Sequence, residues 1–145
     1  MLAPFDNIMI KTAEPAILPQ VKRFFRHHHF RAQAPRGDEI HIALLDKQLI
    51  GALRLSPTDD AWLLRSMCIH EDFRHQGIGN FMLQQISPRL RLQPCYCFPY
   101  LHLQDFYRRA GFVPVNIDQA PPIIADKYQG YVDRGKKILL MQYRV

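Results

Sequence analysis

The 145-residue sequence predicts an α/β fold whose sheet mixes strand directions. Three observations carry that prediction. Strand-like alternation and helix-like spacing of apolar residues succeed one another along the chain. Three strand-like segments, residues 39–46, 48–56 and 62–69, follow each other with only tight turns between them, as in an antiparallel meander. The run FRHQGIGNFM, residues 73–82, then sets two glycines between a strand and a helix. The predicted order is β-α-β-β-β-α-β-α-β-α-β, about seven strands flanked by helices. No repeat, low-complexity tract or break in composition divides it, so residues 1–145 read as a single domain.

The elements follow in chain order. FDNIMIKTA, residues 5–13, alternates as a first strand, and Thr12 offers a cap to the helix of AILPQVKRFFRHHHF. Ile17, Val21, Phe24 and Phe25 give that helix an apolar face, and Pro19 is compatible only with its first turn. RAQAPRGD is a loop. EIHIALLD and QLIGALRLS turn at Asp46–Lys47, SPTDDA forms the next turn, and WLLRSMCI is the third strand of the meander. Ile78, Phe81, Met82, Leu83 and Ile86 mark a short helix that closes before Ser87–Pro88. CYCFP is a buried strand, residues 101–110 a helix stopped by Gly111, and FVPV a strand. PPIIADKYQGYVDRG is helical despite Gly130, and KKILLMQYRV is the last strand.

Composition narrows the classes of function. Nearly half the residues (48%) are hydrophobic and 22% are charged, as in a globular protein, and no apolar run is long enough to span a bilayer. The N-terminus carries Asp6 within its apolar stretch and no basic leader, so it does not resemble a signal peptide. Three cysteines, Cys68, Cys95 and Cys97, fit reduced thiols, and a cytoplasmic location is expected. The +6 formal charge is spread over separate elements rather than gathered on one basic helix. No nucleic-acid partner is therefore expected, whereas a small polyanionic ligand suits it.

The glycine turn is where such an anion would sit. The first amides of a helix lack backbone partners, and the helix dipole favours negative charge there. Gly77 and Gly79 remove the side chains that would keep phosphate oxygens away, and Arg74 adds a charge-assisted donor. A glycine pair alone would also serve a helix start that binds nothing.

The run R74-H-Q-G77-I-G79 resembles the R/Q-x-x-G-x-G/A signature of the GNAT superfamily of N-acetyltransferases, and SMCIHEDFRHQGIG resembles its strand-then-turn context. A second signature of that family, an aromatic pair in a helix ending in Gly-Phe, is matched by DFYRRAGF, residues 105–112. The resemblance is best over residues 40–115. It implies a splayed mixed sheet with acetyl-coenzyme A, as acyl-donor cosubstrate, in the gap between the fourth and fifth strands. By position it implies that the backbone of Met67 and Ile69 meets the pantetheine arm. Arg74 and the amides of His75, Gln76, Gly77, Ile78, Gly79 and Asn80 would then hold the pyrophosphate. It also implies a primary amine acceptor, on a small molecule or a protein, which attacks the thioester directly, and an assembly that in relatives is commonly a homodimer.

Transfer to an amine requires a deprotonated nucleophile, a polarised carbonyl and a protonated leaving thiolate. Tyr107 matches the family tyrosine that protonates the coenzyme sulfur. It also falls with Leu103, Phe106 and Ala110 on one helix face, as a core aromatic would. The base is open. An alkyl amine has a pKa near ~10.4. Many relatives carry a glutamate on the preceding strand, where this sequence has Arg65; Glu71, His70, His41 or a water chain are substitutes. Tyr100 stands where relatives often have asparagine. Of Arg54 and Arg65, on neighbouring strands, either one or both face the acceptor and imply a substrate carboxylate, or both point to solvent or pair with Asp59, Asp60 or Glu39, the latter being the reading preferred.

His27, His28 and His29 point about 100° apart on a helix and cannot share one metal; they fit a helix end, and the resemblance, in which the first helices border the acceptor site, implies that one of them can touch substrate. Cys95, Cys97 and His102 do not form a familiar zinc spacing, and no metal site is expected. Residues 117–136 form either a wall over the acceptor or a cover for the sheet edge. The leading reading is an acetyl-CoA-dependent N-acetyltransferase; the alternative is a catalytically weak acyl-CoA-binding sensor or partner module.

Overall fold

The structure is a computed structural model that describes residues 5–31 and 37–144. Most of the loop expected over residues 31–38, and Val145 of the last strand, lie outside the described residues. Seven strands form one sheet: β1 (Ile8–Thr12), β2 (Glu39–Leu45), β3 (Gln48–Pro57), β4 (Trp62–Ile69), β5 (Cys95–Cys97), β6 (Phe112–Pro114) and β7 (Met141–Tyr143). Their spatial order is β1-β2-β3-β4-β5-β7-β6. Every pairing is antiparallel except that of β4 with β5. This is the mixed α/β sheet that the sequence predicts.

Among the described residues five α-helices accompany it: α1 (Leu18–His27), α2 (Ile78–Gln85), α3 (Ser87–Leu90), α4 (Gln104–Arg109) and α5 (Pro122–Asp133). Three apolar clusters show where they sit. Val21, Phe24 and Phe25 of α1 pack on Ile42 and Ala52, and Ile124 of α5 packs on Leu63, Tyr96 and Leu140. The largest cluster joins Ile78, Met82 and Leu83 of α2 and Tyr107 of α4 to Leu53, Leu55, Leu64, Cys95 and Cys97. Side chains alternate across a strand. Leu63 and Leu64 therefore point to opposite faces, with α5 and α1 on one and α2 and α4 on the other.

Several boundaries differ from the sequence reading. Thr12 ends β1 and caps nothing; a 3-10 turn at Pro15–Ile17 leads into α1, with Pro19 in the first turn. The helix after the glycine turn does not simply close before Ser87–Pro88. It restarts as α3, because proline is acceptable in a first turn. Residues 101–103 are a 3-10 turn before α4, and the last strand is shorter than expected, with Ile138 making only an isolated bridge to Tyr100. Residues 117–136 cover the sheet face through α5, not its edge.

Two local features open the sheet. β5 pairs with β4 over three residues, the last being Leu64 opposite Cys97, and Pro99 follows, with no amide to donate. On β4 the register with β3 slips between Arg65, opposite Arg54, and Cys68, opposite Ala52; Ser66 within the slip has φ +57°. Beyond Leu64 the two parallel strands have no pairing.

Candidate functional site

Two cavities occupy that opening. The larger, about 800 Å³, runs from Met67, Cys68 and Ile69 on β4 past the glycine turn to Phe106, Tyr107 and Arg109 on α4. Its size is within the ~300–1,000 Å³ usual for ligand sites. The smaller, about 280 Å³, lies between Leu63–Met67, the segment 97–100 and Tyr131, Lys136 and Ile138 around the end of α5. Phe30, Met67, Leu103 and Tyr107 line both, so these four side chains form the boundary between them.

The turn has the geometry its sequence demands. Gly77 adopts φ +84° at the start of α2, in the left-handed region that glycine enters without strain. Gly79 is required for closeness instead: a Cβ there would sit 3.0 Å from the Phe106 ring and 3.2 Å from the Met67 methyl. The first hydrogen bond back into the turn is from the Phe81 amide to the Gly77 carbonyl, 3.0 Å, which leaves the preceding amides at the helix start for another acceptor. Arg74 Nε donates to the Ile69 carbonyl, 3.0 Å, and this holds its guanidinium against the end of β4. The Asn80 side-chain oxygen is buried without a hydrogen-bond partner among the described residues.

Of the residues proposed from sequence, Met67, Ile69, Arg74, His75, Gly77, Ile78, Gly79, Asn80 and Tyr107 all line the larger cavity. Gln76 does not; its side chain turns back to the Asp72 carbonyl at 3.4 Å, leaving only its backbone amide for a ligand. Arg109, to which the sequence reading gives no role, also lines this cavity, and of the three consecutive histidines it is His28 that does. Arg109 lies next to Arg108 in YRRAG, and only the helix phase decides which of the two faces inward. His28 caps the C-terminus of α1, where its Nδ1 donates to the Phe24 carbonyl at 2.8 Å. A carbonyl can only accept, so the proton of the neutral ring is on Nδ1 and the lone pair on Nε2. The three histidines thus form a helix end, and one of them reaches the cavity.

Tyr107 is 9% exposed, edge-on to Phe106 and Phe112. Its hydroxyl has a thioether contact, Met67 Sδ at 4.0 Å. Burial, reinforced by the neighbouring Cys97, pushes its pKa well above the ordinary tyrosine value. The phenol therefore keeps its proton. The thiols are poor nucleophiles for the same reason: burial raises Cys68 and Cys95 to about 12 each and Cys97 well above its usual value.

No Asp or Glu lines either cavity among the described residues. The substitutes considered for the base lie elsewhere. His41 is paired with Glu39 at 3.1 Å, and Glu39 is held by Arg89. His70 Nδ1 accepts from the Asp72 amide, and Glu71 is exposed. The arginine pair also departs from the reading preferred. Arg54 is 2% exposed, donates to the Arg31 carbonyl and lies 4.2 Å from the centroid of Phe25, while Arg65 lines the smaller cavity. Neither makes an ion pair with Asp59, Asp60 or Glu39. The described residues contain no group of three or more His, Cys, Asp or Glu placed to hold a metal, and no helix long and apolar enough to cross a membrane.

Solved structures share this architecture. N-acetylglutamate synthase from Neisseria gonorrhoeae, complexed with coenzyme A and N-acetyl-glutamate, superposes with a TM-score of 0.71 at 16% identity, covering 94% of this chain and 35% of its own. The chain thus spans about a third of that synthase. A GNAT family acetyltransferase from Elizabethkingia anophelis with acetyl-CoA bound gives 0.67 at 15%, covering 97% and 99%. Escherichia coli ElaA gives 0.65 at 15%, covering 94% and 99%. No curated protein matches the sequence. The acetyltransferase (GNAT) domain family matches residues 36–114, more than half of the chain. On that match, the chain belongs to the GNAT acetyltransferase family.

Proposed function

We propose that the protein is an acetyl-CoA-dependent N-acetyltransferase in which the whole chain works as one catalytic domain and the amine attacks the thioester directly. The observation that carries this reading is the meeting of two cavities at a wall containing Tyr107, whose burial favours the protonated phenol. Acetyl-CoA occupies the larger cavity; two of the similar structures named above hold coenzyme A or acetyl-CoA. Amides of the turn and Arg74 bind its pyrophosphate, with Arg109 as a second cation along the same wall, and the open edge of β4 at Met67 and Ile69 meets the pantetheine.

The amine enters from the smaller cavity and its nitrogen attacks the carbonyl carbon. As the carbon–sulfur bond breaks, the Tyr107 hydroxyl donates to the departing sulfur. Nε2 of His28, which lines the larger cavity and is the one imidazole there outside the glycine turn among the described residues, takes the proton of the amine directly or through water. No thiol acts as an acetyl carrier, since burial keeps all three protonated at neutral pH.

Calorimetric titration with acetyl-CoA, beside an Arg74→Ala, Gly77→Asp double variant, tests the reading. Wild-type binding that the folded variant loses supports it. A folded wild-type protein that does not bind removes both the cosubstrate and the activity. Binding without thiol release across a broad amine screen favours the sensor reading, which the lack of a carboxylate on either cavity wall also suits.

A further inference from the structure

The smaller cavity has a charge pattern that the acetyl donor does not explain. Its wall carries two cations, Arg65 and Lys136, and no Asp or Glu among the described residues. Neither cation makes an ion pair with a described residue. Both are placed there by backbone geometry. Arg65 precedes the slip in β4 and sits opposite Arg54, on the sheet face that carries α1 and α5. Lys136 follows Gly135, whose φ of +89° reverses the chain after α5, and the Lys136 amide closes that turn on the Tyr131 carbonyl at 3.0 Å.

Arg54 lies close enough to Arg65 for the two positive charges to repel. Arg54 is buried beside it, and the attraction of Asp38 is directed at Arg54. A second, half-buried guanidinium next to it costs free energy unless an anion approaches. The rest of the wall is aromatic and apolar: Phe98 and Tyr131 are edge-on with centroids 6.1 Å apart, and Tyr100 flanks them. A volume of about 280 Å³ fits a small molecule with a compact body rather than a folded protein surface.

We propose that this cavity is the acceptor site and selects a small amine bearing a carboxylate, which Arg65 and Lys136 hold while its amino group faces Tyr107. The inference rests on the acetyltransferase reading above and adds the substrate class. Planar, forked donors on Arg65 suit a carboxylate, and Lys136 adds a point charge at the exposed rim.

Two probes with comparable benzylic amines separate the possibilities: 4-(aminomethyl)benzoate and its uncharged amide, 4-(aminomethyl)benzamide. Thiol release from acetyl-CoA is measured with each, and binding of each to the coenzyme-A-loaded protein is measured by calorimetry. Loss of one charge-assisted pair changes affinity by about tenfold or more, so the carboxylate should exceed the amide by that factor, through KM rather than kcat. Arg65→Gln should erase the preference, Arg65→Lys should keep part of it, and both should leave acetyl-CoA affinity unchanged. Equal binding of the two probes, binding of neither, or a preference that survives Arg65→Gln with Lys136→Gln overturns the assignment. So does a fall in acetyl-CoA affinity in Arg65→Gln, which would give these cations to the coenzyme. Failure of the wild type to bind acetyl-CoA is a separate result and removes the underlying reading.

Discussion

Replacing Tyr107 by phenylalanine separates its two roles, because the structure assigns almost all of its stabilising contacts to the ring. Phe106 and Phe112 meet the ring edge-on at centroid distances of 5.0 and 5.7 Å, and phenylalanine retains both contacts. Among the described residues the hydroxyl has one hydrogen-bonding contact, to a thioether at 4.0 Å. An ordinary hydrogen bond contributes about 0.5–1.5 kcal/mol, and this contact belongs at or below the lower end. The variant should therefore melt within about 2 °C of the wild type. Catalysis should respond quite differently. A positioned general acid contributes about 10²–10⁴-fold; water reaching the sulfur would replace part of it, so kcat should fall about 10²-fold with little change in the KM for acetyl-CoA.

The sign of the pH dependence follows from the raised pKa of Tyr107. A phenol whose folded value lies above its unfolded value of ~10 remains a donor throughout the neutral and mildly alkaline range. Its contribution to stability is complete below ~10 and is lost as pH rises through the folded value. The wild-type rate should consequently show no alkaline decline from this group below pH ~10. Thiol release at varied pH, with an amine that the wild type acetylates, measures this directly. A kcat for Tyr107→Phe within about threefold of wild type, with the melting temperature lowered instead, would make Tyr107 a wall residue and refute the acid role.

Four further outcomes are expected. Gly79→Ala gains up to ~1 kcal/mol of helix propensity but drives a methyl into Phe106 at 3.0 Å, an overpacking cost of about 1–3 kcal/mol; melting should fall by a few degrees and acetyl-CoA affinity by about tenfold, both read by calorimetry. His28→Gln should lower kcat with acetyl-CoA affinity retained, since Nε2 is assigned to the amine proton; an unchanged kcat returns that task to solvent. The three buried thiols should react with a disulfide reagent at pH 8 far more slowly in the folded than in the denatured protein; rapid native labelling would contradict their raised pKa values. Glu39, lowered mainly by its hydrogen bond to Arg89, stabilises the fold above its unfolded pKa of 4.5 and loses that effect as pH falls through the folded value. Glu39→Gln should thus flatten the acid limb of a melting-temperature profile, by about 1 kcal/mol or less for so exposed a partner as Arg89.

The order of strands and helices was legible because each element carries its own period, and the glycine turn because its conformation needs particular residues. Gly77 shows a backbone requirement directly in the sequence. The need at Gly79 comes instead from Phe106, 27 positions away in the chain, and no local pattern reports that approach. Arg65 was visible as a departure from the family pattern, but its surroundings were not. They depend on the slip in β4, on Lys136 returning after α5, and on Arg54 being buried rather than paired at the surface. His28 was one of three consecutive histidines with equal claims, and the phase of the α1 terminus selects it.

The opening that holds both cavities depends on two chain features that act only together. Pro99 removes an amide just after β5, yet that alone would leave a straight β4 with a free edge. The slip around Ser66, with its positive φ, bends β4 at the level where β5 ceases to pair with it. β7 meanwhile keeps hold of β5, since the Leu139 amide donates to the Pro99 carbonyl at 2.8 Å. The gap is therefore bounded by two anchored strands rather than by a loose end. Unpaired backbone on β4 faces one cavity, and Arg65, still in register with Arg54 just before the slip, lines the other. The cation proposed for the acceptor and the open edge proposed for the donor thus lie on either side of one backbone irregularity. Tyr107 stands on the boundary, where the acetyl group would pass from one to the other.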